Sequence, residues 1–481
     1  MKRLDRKNTG FNQKQPIKVV QFGEGNFLRA FVDYIIDKLN AEADFNAGVA
    51  VIQPLAGGLI DVLNEQDGLY NLFMKGVKKG QQIEERRTIT CIQKGINPYE
   101  DYQEFLDLAK EPELSFLISN TTEAGIAYNE ADTLEGYPHK SFPAKVTALL
   151  YERFKFFNGD KKKGLTIIPC ELINDNADTL KSIILQYAQL WNLEEDFVQW
   201  VEGHNDFHNT LVDRIVPGYP KNDIESYQSQ LQYEDKLIVS AEVFLLWVIE
   251  GDKRLKEKIP LDKIDENIQV VKDMQPYRTR KVRILNGAHT TMVPFSLLYG
   301  NETVKETIDN DFTGEFVQKA VFDEINPTLD LSEEELKSFA DEVFDRFRNP
   351  FIKHQLSSIA LNSISKFKVR VLPSLLAYQN KYQRMPVHLT FALACLLRFY
   401  KGDWNGEALP VKDDQEVINE IKKSWEKNSY KEVVDEILGN ESFWGEDLTN
   451  VPELESRIIQ ALELIEMKGV EEGFRRFSET A

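Results

Sequence analysis

Cysteine is scarce. Three residues, Cys91, Cys170 and Cys395, are spread over 481 positions, with no CxxC pair and no Cys/His cluster. That argues against a disulfide framework and a zinc knuckle, and suits a reducing compartment. The six histidines are scattered; His204 and His208 alone have an i, i+4 spacing, which suits a structural or surface role, so no metal is expected. Positive charge is in deficit, with 58 Lys and Arg against 78 Asp and Glu, a net charge of -20. A general nucleic-acid or anionic-membrane binder needs a basic surface and is excluded as a class, whereas a local Arg/Lys pocket can still hold a small anion. Long apolar runs are missing too. The longest, Ala241 to Ile249, is interrupted by Glu242 and too short to span a bilayer. Met1 to Lys18 is basic and polar with no apolar core, so no signal peptide is expected. The expectation is a soluble cytoplasmic protein.

What remains is ordinary globular composition, 42% hydrophobic and 28% charged, in a length that suggests two to three domains. Ile17 to Phe22 reads as a buried parallel strand, and Phe27 to Leu39 as a helix with Leu28, Phe31, Val32, Ile35, Ile36 and Leu39 at helical spacing. Strands are expected at Ala47 to Leu55, Thr88 to Gln93, Ser115 to Ser119 and Leu165 to Cys170, and a helix at Phe142 to Phe157. Alternating strands and helices predict a doubly wound α/β domain. After about Asp265 the chain turns helical: Ser332 to Glu335 reads as a capping box, Leu336, Phe339, Ala340, Val343 and Phe347 share one face, and further helices follow at His388 to Tyr400 and Asp414 to Ile437. The expected architecture is an N-terminal Rossmann-like dinucleotide-binding domain, residues 1–265, and a mainly α-helical substrate domain, residues 266–481.

Four segments carry chemistry. In Gly23-Glu24-Gly25-Asn26-Phe27-Leu28 two glycines permit a tight turn and close approach of backbone to a pyrophosphate. The third fingerprint position is Leu28, and the segment equally serves as a plain strand-helix turn. The acid usual at the end of the second strand is missing; Gln53-Pro54-Leu55 stands there, leaving NAD versus NADP open. Ser119 to Gly125 follows a strand, where residues face the ligand crevice of an open sheet, but such residues also form turns. Pro169 to Asn176 offers Asn174 and Asn176 as donors to a carbonyl oxygen, or as caps. In Lys281-Val282-Arg283-Ile284-Leu285-Asn286-Gly287-Ala288-His289 an amine, a carboxamide and an imidazole fall close together. A lysine acts as general acid-base when burial or neighbouring cations lower its pKa, and Arg278, Arg280 and Arg283 are nearby. On an ideal helix Asn286 and His289 share a face while Lys281 lies to one side. A basic helix surface with a core histidine would use the same residues.

Taken together, these segments resemble the polyol-specific long-chain dehydrogenases, the mannitol dehydrogenase family. The Lys-x-Arg-x-Leu-Asn-x-x-His run is similar to that family's catalytic segment, and Phe207 to Ile215 resembles another marker. Gln21 to Phe31, Trp247 to Gly251 and Arg370 to Leu375 are similar to the family's hexuronate-reducing branch. The resemblance implies an NAD-dependent oxidoreductase taking a small hexuronate or aldonate. It implies Lys281 as general acid-base, Asn286 and either Asn176 or Asn174 polarising the carbonyl, and His289 binding substrate hydroxyls. Phe22, Gly23, Gly25, Asn26, Phe27, Thr122 and Glu123 would contact the cofactor. Charge logic adds Arg370 and Lys368 for the substrate carboxylate. Sibling activities on other keto-hexuronates, ketoses or phosphopolyols, and a silent NAD-binding module, are the competing readings.

Overall fold

The computed structural model describes residues 1–480. The chain forms two units: Met1–Lys75 with Ile83–Met274, and Gly76–Gln82 with the residues from Gln275 onward.

The first unit is built on a six-stranded sheet. Its strands are β1 (Ile17–Phe22), β2 (Gly48–Ile52), β5 (Ile92–Ile96), β6 (Phe116–Ser119), β7 (Thr166–Pro169) and β8 (Asp206–Phe207). They run in the order β5-β2-β1-β6-β7-β8, all parallel. This is doubly wound topology, with order reversing beside β1. Side chains alternate across each strand: Val19, Val49, Val51, Phe116 and Ile118 join one buried cluster, and Val20, Ala50, Ile52, Leu117 and Ile167 another. Both faces are therefore covered, which is why these strands read as continuous apolar runs. Between β2 and β5 lies a hairpin, β3 (Tyr70–Lys78) and β4 (Gln81–Ile89).

The helix expected from Phe27 to Leu39 is two helices, α1 (Asn26–Ala30) and α2 (Val32–Glu42), broken at Phe31, whose φ/ψ of -122/-75 is not helical. The strand expected over Thr88 to Gln93 is instead the end of β4 and the start of β5. Further sheets form from β9 (Thr210–Asp213), β11 (Leu246–Glu250) and β12 (Ile268–Val271), and from β10 (Val239–Glu242) with β3 and β4. On the far face of the main sheet lie α3 (Phe142–Phe156) and α4 (Asn176–Leu190), contributing Leu149, Leu150, Ile184 and Tyr187.

The second unit is mainly helical. In order come α5 (Gln275–Arg280), a π-helical segment Lys281–Asn286, α6 (Gly287–Tyr299), α7 (Asp311–Lys319), a second π segment Ala320–Ile325, α8 (Glu333–Phe347), α9 (Ser363–Arg370), α10 (Leu372–Tyr382), α11 (Val387–Phe399) and α12 (Leu454–Ser478). Helix α8 buries the expected stripe, Leu336, Phe339, Ala340, Val343 and Phe347. Its Ser332 hydroxyl accepts from the Glu335 N–H, but itself donates to the Glu335 carboxylate, so the reciprocal half of a capping box is not made. The region expected as Asp414 to Ile437 holds two helices, Gln415–Ser424 and Tyr430–Leu438.

Candidate active site

Four strand ends in the first unit are level. Phe22 pairs with Ile52 and with Ser119, and Ser119 pairs with Pro169. The ladder continues one residue further: Gly23 N–H donates to Ile52 O (2.9 Å), Asn120 N–H to Phe22 O (3.1 Å) and Cys170 N–H to Ser119 O (2.7 Å). The residues that follow each strand thus emerge along one edge, where open α/β sheets hold ligands.

The glycine turn sits at this edge. Gly23 has φ +121, and a Cβ there would lie 3.0 Å from both Asn120 O and Leu28 Cδ1, so any other residue would be both strained and crowded. Gly25 caps α1 with no side-chain bond, and a Cβ on it would meet nothing within 4 Å. Of the other residues expected at a cofactor, Phe22 has its ring in the core against Phe105 and Phe142. Asn26 Oδ1 accepts from Arg29 Nη2 (2.8 Å), and Phe27 stacks on Phe31. These three therefore shape the turn through packing, with at most backbone facing a ligand. Thr122 and Glu123 are exposed, and Thr122 has φ +78, an uncommon conformation for a β-branched residue. The space beside Gly25 and the level strand ends fit a dinucleotide.

Two acids that the sequence reading did not single out organise this edge. Glu171, buried after β7, accepts from Ser119 Oγ (3.0 Å), Thr121 N–H (2.9 Å) and Thr121 Oγ1 (3.0 Å), clasping the turn after β6. Burial pushes its pKa up, opposed by those donors. Glu24, inside the glycine turn, is also buried; burial raises its carboxyl pKa, against the backbone N–H groups of Glu24 and Leu59 and the Arg29 charge.

Asn176 is placed differently from the expectation. Its side chain is fully buried; Nδ2 donates to Pro169 O (3.1 Å) and Glu171 O (3.1 Å), and Oδ1 accepts from Thr210 N–H (3.0 Å). The carboxamide is thus spent tying β7 to β9, whereas Asn174 is exposed.

In the second unit the π turn changes the reading of Lys281. On an α-helix, positions five apart stand about 140° away from each other. Here Gly287 N–H donates back to Val282 O, an i to i-5 bond, so residues five apart lie nearer one side than they do on an α-helix. Lys281 and Asn286 are brought nearer one side of the segment. Such π turns recur at functional sites. The Asn286 carboxamide makes no hydrogen bond among the described residues, and its carbonyl accepts from Thr290 Oγ1 (2.9 Å). The His289 ring lies 4.5 Å from Phe347 and 5.1 Å from His354, a pairing across 65 positions with no sequence signal. Arg280 is buried, its guanidinium 4.3 Å from the Phe339 ring.

Arg370, at the end of α9, has its carbonyl against the start of α6: a Cβ on Gly287 would lie 3.1 Å from Arg370 O. Its guanidinium is half-buried, with its pKa lowered by burial, and forms no ion pair among the described residues. Lys368 points elsewhere, to the Gly445 turn, where its Cε lies 3.0 Å from a Cβ placed there. The two cations expected together do not share a direction, because residues two apart on a helix diverge.

Residues 17–263 match the mannitol dehydrogenase Rossmann domain, and residues 273–466 the mannitol dehydrogenase C-terminal domain. The chain belongs to the mannitol dehydrogenase family. Like that family, it is an oxidoreductase acting on CH–OH groups. Among its relatives are an altronate oxidoreductase of Yersinia enterocolitica, 45% identical over 97% of this chain and 98% of the relative. Another, of Escherichia coli O7:K1, is 46% identical over 99% of both. The fold is similar to that of D-sorbitol dehydrogenase in substrate-free form, at TM-score 0.79 and 21% identity, covering 96% of this chain and 95% of that one. It is also similar to Pseudomonas fluorescens mannitol 2-dehydrogenase in ternary complex with NAD and D-mannitol, at TM-score 0.64 and 20% identity, covering 97% and 95%.

Proposed function

We propose that this family member is an NAD-dependent altronate oxidoreductase, interconverting D-altronate and D-tagaturonate. Full-length identity of 45–46% to relatives of that name supports the substrate. The observation that supports the chemistry is the π turn over Lys281–Asn286, whose i to i-5 bonding favours bringing its two ends, the Lys281 amine and the Asn286 carboxamide, to one side. The glycine turn and the level strand ends fit the cofactor.

NAD, when bound, supplies or accepts the hydride at the carbon bearing the reacting oxygen. In the reducing direction the Lys281 ammonium gives its proton to that oxygen; in the oxidising direction the lysine takes it back. Asn286 donates N–H to the same oxygen and stabilises the negative charge that develops there. His289, packed between Phe347 and His354, holds a substrate hydroxyl. Arg370, half-buried and without an acid partner among the described residues, binds the substrate carboxylate in a bidentate pair. Asn176 acts at a remove in this reading, fixing the strand ends.

The test is loss of NADH absorbance with D-tagaturonate, D-fructuronate and D-fructose, repeated with NADPH. Oxidation with tagaturonate and NADH alone is expected. Preference for fructuronate or fructose would move the chain to a sibling activity, and no turnover with any of them would end the catalytic reading.

A further inference from the structure

The end of β2 is where a dinucleotide fold reads the adenosine ribose, normally with an acid that hydrogen-bonds the hydroxyls and repels a 2′-phosphate. Gln53 stands there and is not free to do this. Its Nε2 donates to Leu55 O (2.9 Å) and Ala56 O (3.2 Å), its Oε1 faces the Ile60 N–H (3.5 Å), and it is 3% exposed. The amide is consumed in shaping its own loop.

A carboxylate nevertheless reaches this place from the neighbouring strand. A Cβ added at Gly58 would lie 2.1 Å from Glu24 Oε1 and 2.4 Å from Gln53 Oε1. The Glu24 carboxylate therefore stands beside the Gln53 amide, at the end of β2, and residue 58 is glycine in the space the two leave. The Glu24 carboxylate accepts from the backbone N–H groups of Glu24 and Leu59 and from no side-chain donor among the described residues, which leaves lone-pair sites on its two oxygens for further donors.

The loop after β2 does not suit a phosphate in its stead. Residues 53–64 contain no Lys or Arg, and Asp61 adds an exposed negative charge. Two buried cations of this edge, Arg29 and Lys145, are committed. Arg29 donates to Glu24 O (3.0 Å), Leu237 O (2.7 Å) and Asn26 Oδ1 (2.8 Å). Lys145 Nζ donates to Pro54 O (3.3 Å), Tyr99 Oη (3.1 Å) and Lys140 O (3.1 Å).

We propose that Glu24, in the glycine turn, replaces the missing strand-end acid, accepting hydrogen bonds from the adenosine ribose hydroxyls and selecting NAD over NADP. This rests on the cofactor reading above and adds the residue that decides between the two dinucleotides. Glu24 is a specificity-determining residue; it has no part in the proton transfer.

The experiment is titration of purified wild-type and Glu24→Gln protein with NADH and with NADPH, following tryptophan fluorescence and confirmed by calorimetry. The quantity read is the ratio of the two dissociation constants, which does not depend on the folded fraction of either sample. A charged hydrogen bond carries about 1.5–3 kcal/mol, so the wild-type preference for NADH is expected to fall about tenfold or more in Glu24→Gln, through weaker NADH and stronger NADPH binding. Glu24→Asp, which keeps the charge on a shorter arm, is expected to fall between. An unchanged ratio in Glu24→Gln, with wild type binding NADH tightly, overturns the assignment and leaves the cofactor reading standing. Wild type that binds neither dinucleotide, or prefers NADPH, overturns both.

Discussion

Two asparagines of one chemical type have opposite environments, and substitution separates them. Asn176 is fully buried with both ends of its carboxamide bonded, while the Asn286 carboxamide makes no hydrogen bond among the described residues. Asn176→Ala strands the Thr210 N–H, while Pro169 O keeps the Thr210 Oγ1 donor and Glu171 O keeps the Ile173 N–H. One unpaired buried N–H costs about 1–3 kcal/mol, so the unfolding free energy is expected to fall by about that much and the urea midpoint with it. Asn286→Ala is expected to leave that midpoint within experimental scatter and to lower kcat by about 10²–10³, the scale of one lost oxyanion donor. Denaturation and steady-state kinetics on both variants check this; a stable, catalytically crippled Asn176→Ala would return that residue to the reacting oxygen.

At the scale of elements, α2 shows why some of the fold was legible and some was not. Its apolar spacing correctly places Val32, Ile35, Ile36 and Leu39 in the core. The same helix also buries Asp33, Tyr34 and Asp37, which no one-faced reading anticipates. The hairpin β3–β4 is what escaped: β4, Gln-Gln-Ile-Glu-Glu-Arg-Arg-Thr-Ile, is mostly exposed and polar and lacks a clean alternation. Tyr70, on β3, meets Asp33 on the side of α2 that sequence leaves to water (3.2 Å). Buried parallel strands were legible because two covered faces make an apolar run; the π turn was not, because helical spacing assumes 3.6 residues per turn. Glu24 went unnoticed because the ribose acid is sought at the end of the second strand, not inside the glycine turn. Asp33 gives a consequence in pH. Burial raises its carboxyl from 3.8 to about 7, against hydrogen bonds from Gln21 and Tyr70 and the Arg29 charge. Between those values the folded chain binds more protons than the unfolded one, so stability falls as pH rises. The cost is absent below about 3.8 and complete above about 7. Asp33→Asn mimics the protonated form. Its stability relative to wild type is therefore expected to improve from pH 5 to pH 7, by up to about 1.4 kcal/mol per unit, and then level off. Urea midpoints at pH 5, 6, 7 and 8 measure this; a difference independent of pH would mean that Asp33 is ionised throughout.

At the scale of the whole molecule, the two kinds of residue that the reaction needs fall in different units. The glycine turn, Glu24 and the strand ends belong to the first; Lys281, Asn286, His289 and Arg370 belong to the second. A net charge of -20 supplies no general attraction for an anionic cofactor or an anionic substrate, so each depends on local groups of the unit that holds it. Binding and chemistry should then be separable by mutation. A ligand that binds the folded state at 100 times its Kd stabilises it by about 2.7 kcal/mol. Lys281→Ala is expected to keep the full NADH-induced rise in melting temperature while losing about 10²–10⁴ in kcat, the range for a removed general acid. Glu24→Gln is expected to do the reverse, shrinking the NADH-induced rise while retaining most of kcat at saturating NADH. Thermal shift and turnover on both variants read the two effects independently. Loss of the NADH-induced rise in Lys281→Ala would place the lysine in cofactor binding, and near-full turnover in that variant would remove it from the proton transfer.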